Sequence, residues 1–354
     1  MEKMYFGSID LSNDCMRRDT ALWNSRFGNL RSTTVPLICL LFAVLSGCNT
    51  GRPNGAGLPN RVQPQIIATT SLVGDMVRTI VGDRLEVRVL MPAGVDPHLY
   101  QPTRSDAVDL LYCPLVVYNG LQLEGQFGEV LQKRKTIGHR TFAVSDSLSN
   151  HSIIASQGNI PDPHIWMDAS LWAICAIGLG EELAAHFPDH AAAFRRSAAE
   201  YAEGLRKLDA WAYDSLQTVA AEQRVLVTAH DAFRYFGRRY EVEVYGVQGM
   251  STASEAGIAD VNQLVQMVHL RGVPAVFFET SVSKRQVQAI VDGVQAYGKS
   301  ISADHTLYSD SLGPAGSGAE TYHGMMRSNV VTITTALGGA ALSNELDNLT
   351  MNLK

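Results

Sequence analysis

Short apolar runs alternate along the chain with longer stretches in which apolar residues recur every three or four positions. Ile66-Ile67-Ala68-Thr69-Thr70 reads as a buried strand, and Leu72 to Val81 as a helix whose start Thr70 or Ser71 caps. Leu85 to Leu90 alternates apolar and charged positions, which predicts a second strand before the loop Met91 to Tyr100. Thr103 and Asp106 stand at capping-box spacing ahead of the next helix, and Leu115 to Tyr118 is another short buried strand. The alternation returns with strand Arg224 to Thr228, helix Ala232 to Arg239, strand Val242 to Val244, helix Val261 to Leu270 and strand Ala275 to Phe278. Strands alternating with helices predict an α/β fold of two lobes, each with a mostly parallel sheet flanked by helices.

Between the two series lies His190 to Val219, a proline-free helical stretch of 30 residues. Phe194, Ala198, Tyr201, Leu205, Leu208 and Ala212 fall on one face, and Arg195, Glu203, Lys207 and Asp214 on the other. At 1.5 Å per residue such a helix spans about 45 Å, enough to run along both lobes and resist a wide hinge motion. The pattern therefore divides the chain into an N-terminal lobe at 64–188, a linker helix at 189–220 and a C-terminal lobe at 221–354.

The residues before the first lobe read as an address. Val35 to Leu45 is an apolar run of 11 residues behind Arg17, Arg18, Arg26 and Arg31. A membrane-spanning helix needs about 20 apolar residues, so the run fits the core of a secretory signal instead. Residues 1–15 carry a net charge of −2 and residues 16–47 a net +3. Export leaders begin basic, so translation is expected to start at Met16 rather than Met1. Leu45-Ser46-Gly47-Cys48 resembles the lipobox of bacterial lipoproteins, which implies cleavage before Cys48, lipid on its thiol and 307 remaining residues. Residues 1–47 are then the signal peptide. Residues 48–63, rich in Gly, Pro and Asn, form a flexible tether reaching about 55 Å when extended.

Composition narrows the function classes. With 46% hydrophobic residues and a net charge of only −6, the chain is not a disordered one. It has no Lys/Arg cluster of the kind that binds nucleic acid. The five cysteines, Cys15, Cys39, Cys48, Cys113 and Cys175, form no C-x-x-C pair and are too irregular for a disulfide scaffold. Cys113 and Cys175 lie in apolar settings and read as core.

Two tripeptides carry candidate chemistry: Asp96-Pro97-His98 and Asp162-Pro163-His164. Proline fixes φ near −65° and cannot extend a sheet ladder, so each histidine sits at a rigid turn. A pair of such histidines suits a preformed metal site, although one copy alone reads better as an incidental turn. His230 ends a predicted parallel strand, and the carboxyl ends of strands are where α/β sheets place ligand groups. Asp310 precedes the Gly-rich stretch Gly313 to Gly318; alone it reads as a turn or helix cap. That stretch lacks the Gly-Lys-Ser/Thr ending of a phosphate cradle. Glu279 closes a strand and is placed either to hydrogen-bond a ligand histidine or to cap a helix. His139, His151, His186, His190, His269, His305 and His323 have no repeated setting and read as surface or packing residues.

These residues, in this order, resemble the metal-binding solute-binding proteins of ABC importers, the TroA-like zinc/manganese type. The stretches that carry the resemblance are Gly94 to Thr103, Tyr118 to Gly125, Asp162 to Asp168, Val227 to Phe233, Ser251 to Ala256 and Ser309 to Leu312. It covers roughly residues 65 to 340. It implies two α/β lobes joined by one long helix, with the metal in the cleft between them. It makes His98, His164, His230 and Asp310 the four ligands in turn, and makes the protein a binding protein rather than an enzyme. Three imidazoles and one carboxylate suit zinc first and manganese next. A His-rich insertion, common in zinc-specialised relatives, is missing between His98 and His164. The implied setting is outside the cytoplasmic membrane, in the periplasm or on the cell surface. The implied partners are the divalent metal and the importer's permease, with a monomeric chain touching the membrane only through its lipid. The competing readings are a zinc hydrolase using the same histidines with Glu279 as base, though H-E-x-x-H is absent, and a surface adhesin, for which no adhesive repeat speaks.

Overall fold

The computed structural model describes residues 64–155 and 159–343. The signal peptide, the expected start at Met16, Cys48 and the whole of the tether lie outside the described residues. The first half of the described chain runs β1 (Ile66–Thr70), α1 (Ser71–Val81), β2 (Val87–Met91), α2 (Arg104–Tyr112), β3 (Leu115–Tyr118), α3 (Gly128–Thr136), β4 (Arg140–Ala143) and α4 (Ala169–His186). After α5 (Ala191–Leu216) come β5 (Val225–His230), α6 (Arg234–Tyr240), β6 (Glu243–Gln248), α7 (Ile258–Arg271), β7 (Ala275–Glu279), α8 (Arg285–Ala296), β8 (Ser302–Leu307) and α9 (Tyr322–Ala336).

The first sheet has the order β2-β1-β3-β4 and is parallel throughout, with Ile66 opposite Val87 on one side and Leu115 on the other. In the second half β5 pairs with β6 and β7 with β8, both parallel, and β5 lies alongside β7. Every residue of β1 is buried because helices cover both faces. Its side chains alternate accordingly: Ile66 and Ala68 enter the main core, and Ile67 enters a separate cluster with Leu110, Val116 and Phe127. The two strand pairs of the second half are likewise sandwiched, with Leu226 and Phe277 facing the main core and Val227 and Val276 facing Val265 and Ile290.

The helix starts follow their capping chemistry. Thr70 accepts the Val73 N–H at the head of α1, and Thr103 with Asp106 completes the capping box at the head of α2. The long helix is shorter than its pattern suggests, 26 residues and about 39 Å. Pro188 opens a tight 3₁₀ turn through His190 before it, and Thr218 donates its hydroxyl to the Ser215 carbonyl at 2.6 Å after it. Its apolar face packs against α1 and α4 on one side and α6 and α9 on the other, so it borders both halves as a linker should. No helix among the described residues is long and apolar enough to cross a membrane. Cys113 and Cys175 are buried free thiols.

Candidate metal centre

Four strand or turn ends converge on one point. His98 lies in the loop after β2, and His164 stands at the head of the 3₁₀ turn Ile165–Met167 that leads into α4. His230 is the last residue of β5, and Asp310 lies beyond the end of β8. Each offers one ligand atom, and these atoms all lie within 4.8 Å of one another. His98 Nε2 is 3.3 Å from His164 Nε2, His164 Nε2 is 3.6 Å from Asp310 Oδ1, and His230 Nε2 is 3.3 Å from Asp310 Oδ2. Tetrahedral bonds of 2.0–2.1 Å separate neighbouring ligand atoms by about 3.3 Å, so the spacing suits a zinc-sized ion. The His230 Nε2 atom and both Asp310 oxygens are buried without a protein hydrogen-bond partner. Buried polar atoms are ordinarily satisfied, so three orphans aimed at one point mark a site built for something else to fill.

The local sequence explains why these side chains hold still. In both Asp-Pro-His turns the aspartate Oδ1 accepts the histidine's backbone N–H, at 2.8 Å for Asp96 and His98 and 3.0 Å for Asp162 and His164. The rigidity therefore comes from the aspartate as well as from the proline. The two copies then diverge. Asp162 Oδ1 also accepts from His164 Nδ1 at 2.8 Å, which leaves Nε2 bare toward the site. The second oxygen of Asp96 instead accepts the Thr252 hydroxyl at 2.6 Å. Asn119 donates to the Pro163 carbonyl at 2.9 Å, and the buried Glu124 carboxylate fixes Asn119 by accepting its backbone N–H and the Thr69 hydroxyl.

On the other side, Glu279 receives the His230 backbone N–H at 2.9 Å and the imidazole Nδ1–H at 2.6 Å. Both Glu279 oxygens are thus engaged by His230, and the carboxylate is not a free general base. Gly246 on β6 lets the neighbouring strand approach this point, because a Cβ there would sit 2.4 Å from the Asp231 amide nitrogen. Trp166 ties the two halves together. Its indole N–H donates to the Ser309 carbonyl at 2.8 Å, beside Asp310, and its ring packs edgewise on His164.

Electrostatics follow from burial and from crowding of charge. Burial lowers the His98 imidazole to about 4, against the pull of Asp310. Burial also works against a charged His230, but Asp310 and Glu279 outweigh it and raise that imidazole well above its ordinary value. Burial alone would raise the Asp310 carboxyl, yet the three imidazoles around it, His230 foremost, hold it well below the usual carboxylate range. His98 is the one partly exposed member of the set, while His164, His230 and Asp310 are buried. The group is therefore most accessible on the His98 side.

The remaining histidines stand apart from this group: His269 stacks on Tyr297, His305 lies against Phe277 and His323 against Tyr201. Asn119, Trp166 and Thr252 support the site without having been singled out in the sequence for that role. Asn119, Glu124, Trp166 and Thr252 do stand inside the stretches that carry the family resemblance, whereas their partners, 44 to 156 residues away, are a product of the fold.

Comparison with known proteins agrees with this architecture. The chain is 40% identical over 306 residues to the manganese-binding lipoprotein MntA of Bacillus subtilis, covering 85% of this chain and 98% of that one. It is 39% identical over 276 residues to the zinc-binding protein TroA of Treponema pallidum, covering 78% of this chain and 89% of that one. The solved structure of the periplasmic zinc-binding protein TroA superimposes with a TM-score of 0.75 at 38% identity, over 78% of this chain and 99% of that chain. The Fe(III)-bound YtgA of Chlamydia trachomatis superimposes with a TM-score of 0.71 at 28% identity, over 78% and 99%. Residues 66–336 match the model of the periplasmic zinc-uptake complex component A, ZnuA. With its parallel sheets, its long helix and its ring of ligand atoms, the chain belongs to the ZnuA family of solute-binding proteins.

Proposed function

We propose that this protein captures a divalent transition metal, zinc in preference to manganese, outside the cytoplasmic membrane and delivers it to the permease of an ABC importer. His98, His164, His230 and Asp310 are the ligands in this reading, with Glu279 orienting His230. The observation that carries it is the spacing of the four ligand atoms around buried, unpartnered lone pairs. The names of the relatives divide between manganese and zinc, and an iron-bound relative is known in structure. The choice of zinc therefore rests on the ligands: three imidazoles favour it over manganese, which is the harder ion.

Four protein ligands also favour binding over catalysis, since a catalytic zinc keeps one position for water or substrate. The lobe boundaries at 64–188 and 221–354 and the linker at 189–220 belong to this reading. So do the signal peptide at 1–47, the lipid on Cys48, the tether at 48–63 and the monomeric state. In the proposed cycle the ion enters past His98, the halves close slightly on it, and docking on the permease reverses that step. Metal analysis of the chain after equilibration with zinc and manganese in competition tests the proposal. It predicts one zinc per chain, lost in His230→Ala; manganese in preference would move the cargo, and no bound metal would refute the site.

A further inference from the structure

The four ligands do not close the site on their own terms, because one of them is held from across the cleft. His164 is fixed within its own turn by Asp162, and His230 by Glu279 on the neighbouring strand. Asp96 shapes the His98 turn with one oxygen and spends the other on Thr252, a residue of the β6–α7 connection in the opposite half. Ser251, Ala253, Ser254 and Glu255 of that connection are on the surface, and Thr252 among them is half-buried. The connection is anchored at its base, where Gln248 donates to the Ser254 carbonyl at 3.1 Å. The loop is thus fixed to one half and reaches the other through a single hydroxyl.

We infer that Thr252 is a latch that holds the His98 turn over the bound ion, so that its hydrogen bond to Asp96 sets the rate of metal release. This rests on the reading of His98, His164, His230 and Asp310 as the metal site. His98 is the outermost ligand, and an ion leaving through the exposed side must part from it before the buried three. Anything that ties the His98 turn down therefore raises the barrier to departure. Thr252 touches none of the four ligands directly; it acts through Asp96 and is a positioning residue. The Gly94 N–H, which donates to Ser311 Oγ at 2.9 Å, is a second tie across the cleft. Ser311 adjoins Asp310, so its removal disturbs a ligand as well, and Thr252 is the cleaner probe.

The test compares zinc release from the chain and from its Thr252→Val, Thr252→Ala and Thr252→Ser variants, each mixed rapidly with an excess of chelating dye. Valine keeps the shape and deletes the hydroxyl, alanine repeats the deletion with a different side chain, and serine restores the donor. Loss of one hydrogen bond to a carboxylate predicts release about tenfold faster in Thr252→Val and Thr252→Ala, with Thr252→Ser within about twofold of the parent. The melting temperatures without metal are expected to agree, because the loop contributes little to the core; a merely structural role would lower them together with the release barrier. Release from Thr252→Val at the parent rate, or Thr252→Ser as fast as Thr252→Val, overturns the latch while leaving the metal site intact. A parent chain that takes up no zinc overturns the site reading, and the latch with it.

Discussion

Replacing Glu279 with glutamine removes no proposed ligand and almost no volume, yet it is expected to weaken metal binding. Glu279 is 2% exposed and presents one oxygen to the His230 backbone N–H and the other to the Nδ1–H of the same residue. In the neutral imidazole that a metal requires, the carboxylate therefore dictates the tautomer, keeping the proton on Nδ1 and the lone pair on Nε2, which faces Asp310 at 3.3 Å. Glutamine has only one oxygen. If it stays on the backbone N–H, the amide NH₂ points at Nδ1, and the imidazole must move its proton to Nε2, the atom a metal needs bare. Losing such a partner typically costs 10–100-fold in metal affinity, or about 1.4–2.7 kcal/mol. The assay is a zinc competition titration against a chelator of known affinity, run beside a melting curve without metal. The expected result is weaker binding with the fold retained. An unchanged affinity in a folded Glu279→Gln variant would mean that His230 needs no orientation and that its pairing with Glu279 is packing only.

Three further outcomes follow from the same structure. Asp75 accepts the Tyr201 hydroxyl and the Tyr322 N–H, but the enclosure of its carboxylate end by α5 and α9 outweighs these bonds and pushes it up to about 6. Between about pH 4 and 6 the native state then holds a proton that the unfolded chain has lost, so this group's contribution to stability is full below about pH 4 and falls by roughly 3 kcal/mol as pH rises through 6. Denaturation of Asp75→Asn against the parent at pH 4 and 7 should show that difference, and parallel profiles would refute it. Zinc at a thousandfold excess over its dissociation constant should add about 4 kcal/mol of stability, read as a rise in melting temperature that chelation reverses. Leu205, fully buried on the inner face of α5, should lose about 2–5 kcal/mol as Leu205→Ala in denaturant unfolding; a loss under 1 kcal/mol would place that face outside the core.

The legibility of the sequence varied with how local each cause is. The strands Ile66–Thr70, Leu115–Tyr118 and Ala275–Glu279 are readable as apolar runs because helices bury both their faces. The helix Ala169–His186 gives no readable period. Its exposed stripe, Ile174, Ile177, Glu181 and Ala185, is itself mostly apolar, and a helix whose outer face is not polar shows no contrast between its sides. The strand Ser302–Leu307 hides for the opposite reason: it borders a two-stranded pair, and its Ser, Asp, His and Thr side chains carry little apolar signal.

At the candidate metal centre, the paired Asp-Pro-His turns are visible because the aspartate acts on the histidine two residues later. Asp310 and Glu279 are visible only as candidates, since their partners lie 49 to 146 residues away in sequence. Asn119 and Thr252 are harder still. Nothing in their neighbours shows that one holds Pro163 and the other Asp96; that knowledge is a property of the folded chain.

The central claim is that four side chains from four separate segments hold one ion, and diffraction from crystals of the zinc-loaded chain at the zinc absorption edge addresses it directly. A single anomalous peak is predicted, about 2.0–2.2 Å from the Nε2 atoms of His98, His164 and His230 and from a carboxylate oxygen of Asp310. A peak bonded to other residues, or none between these four, would contradict the account.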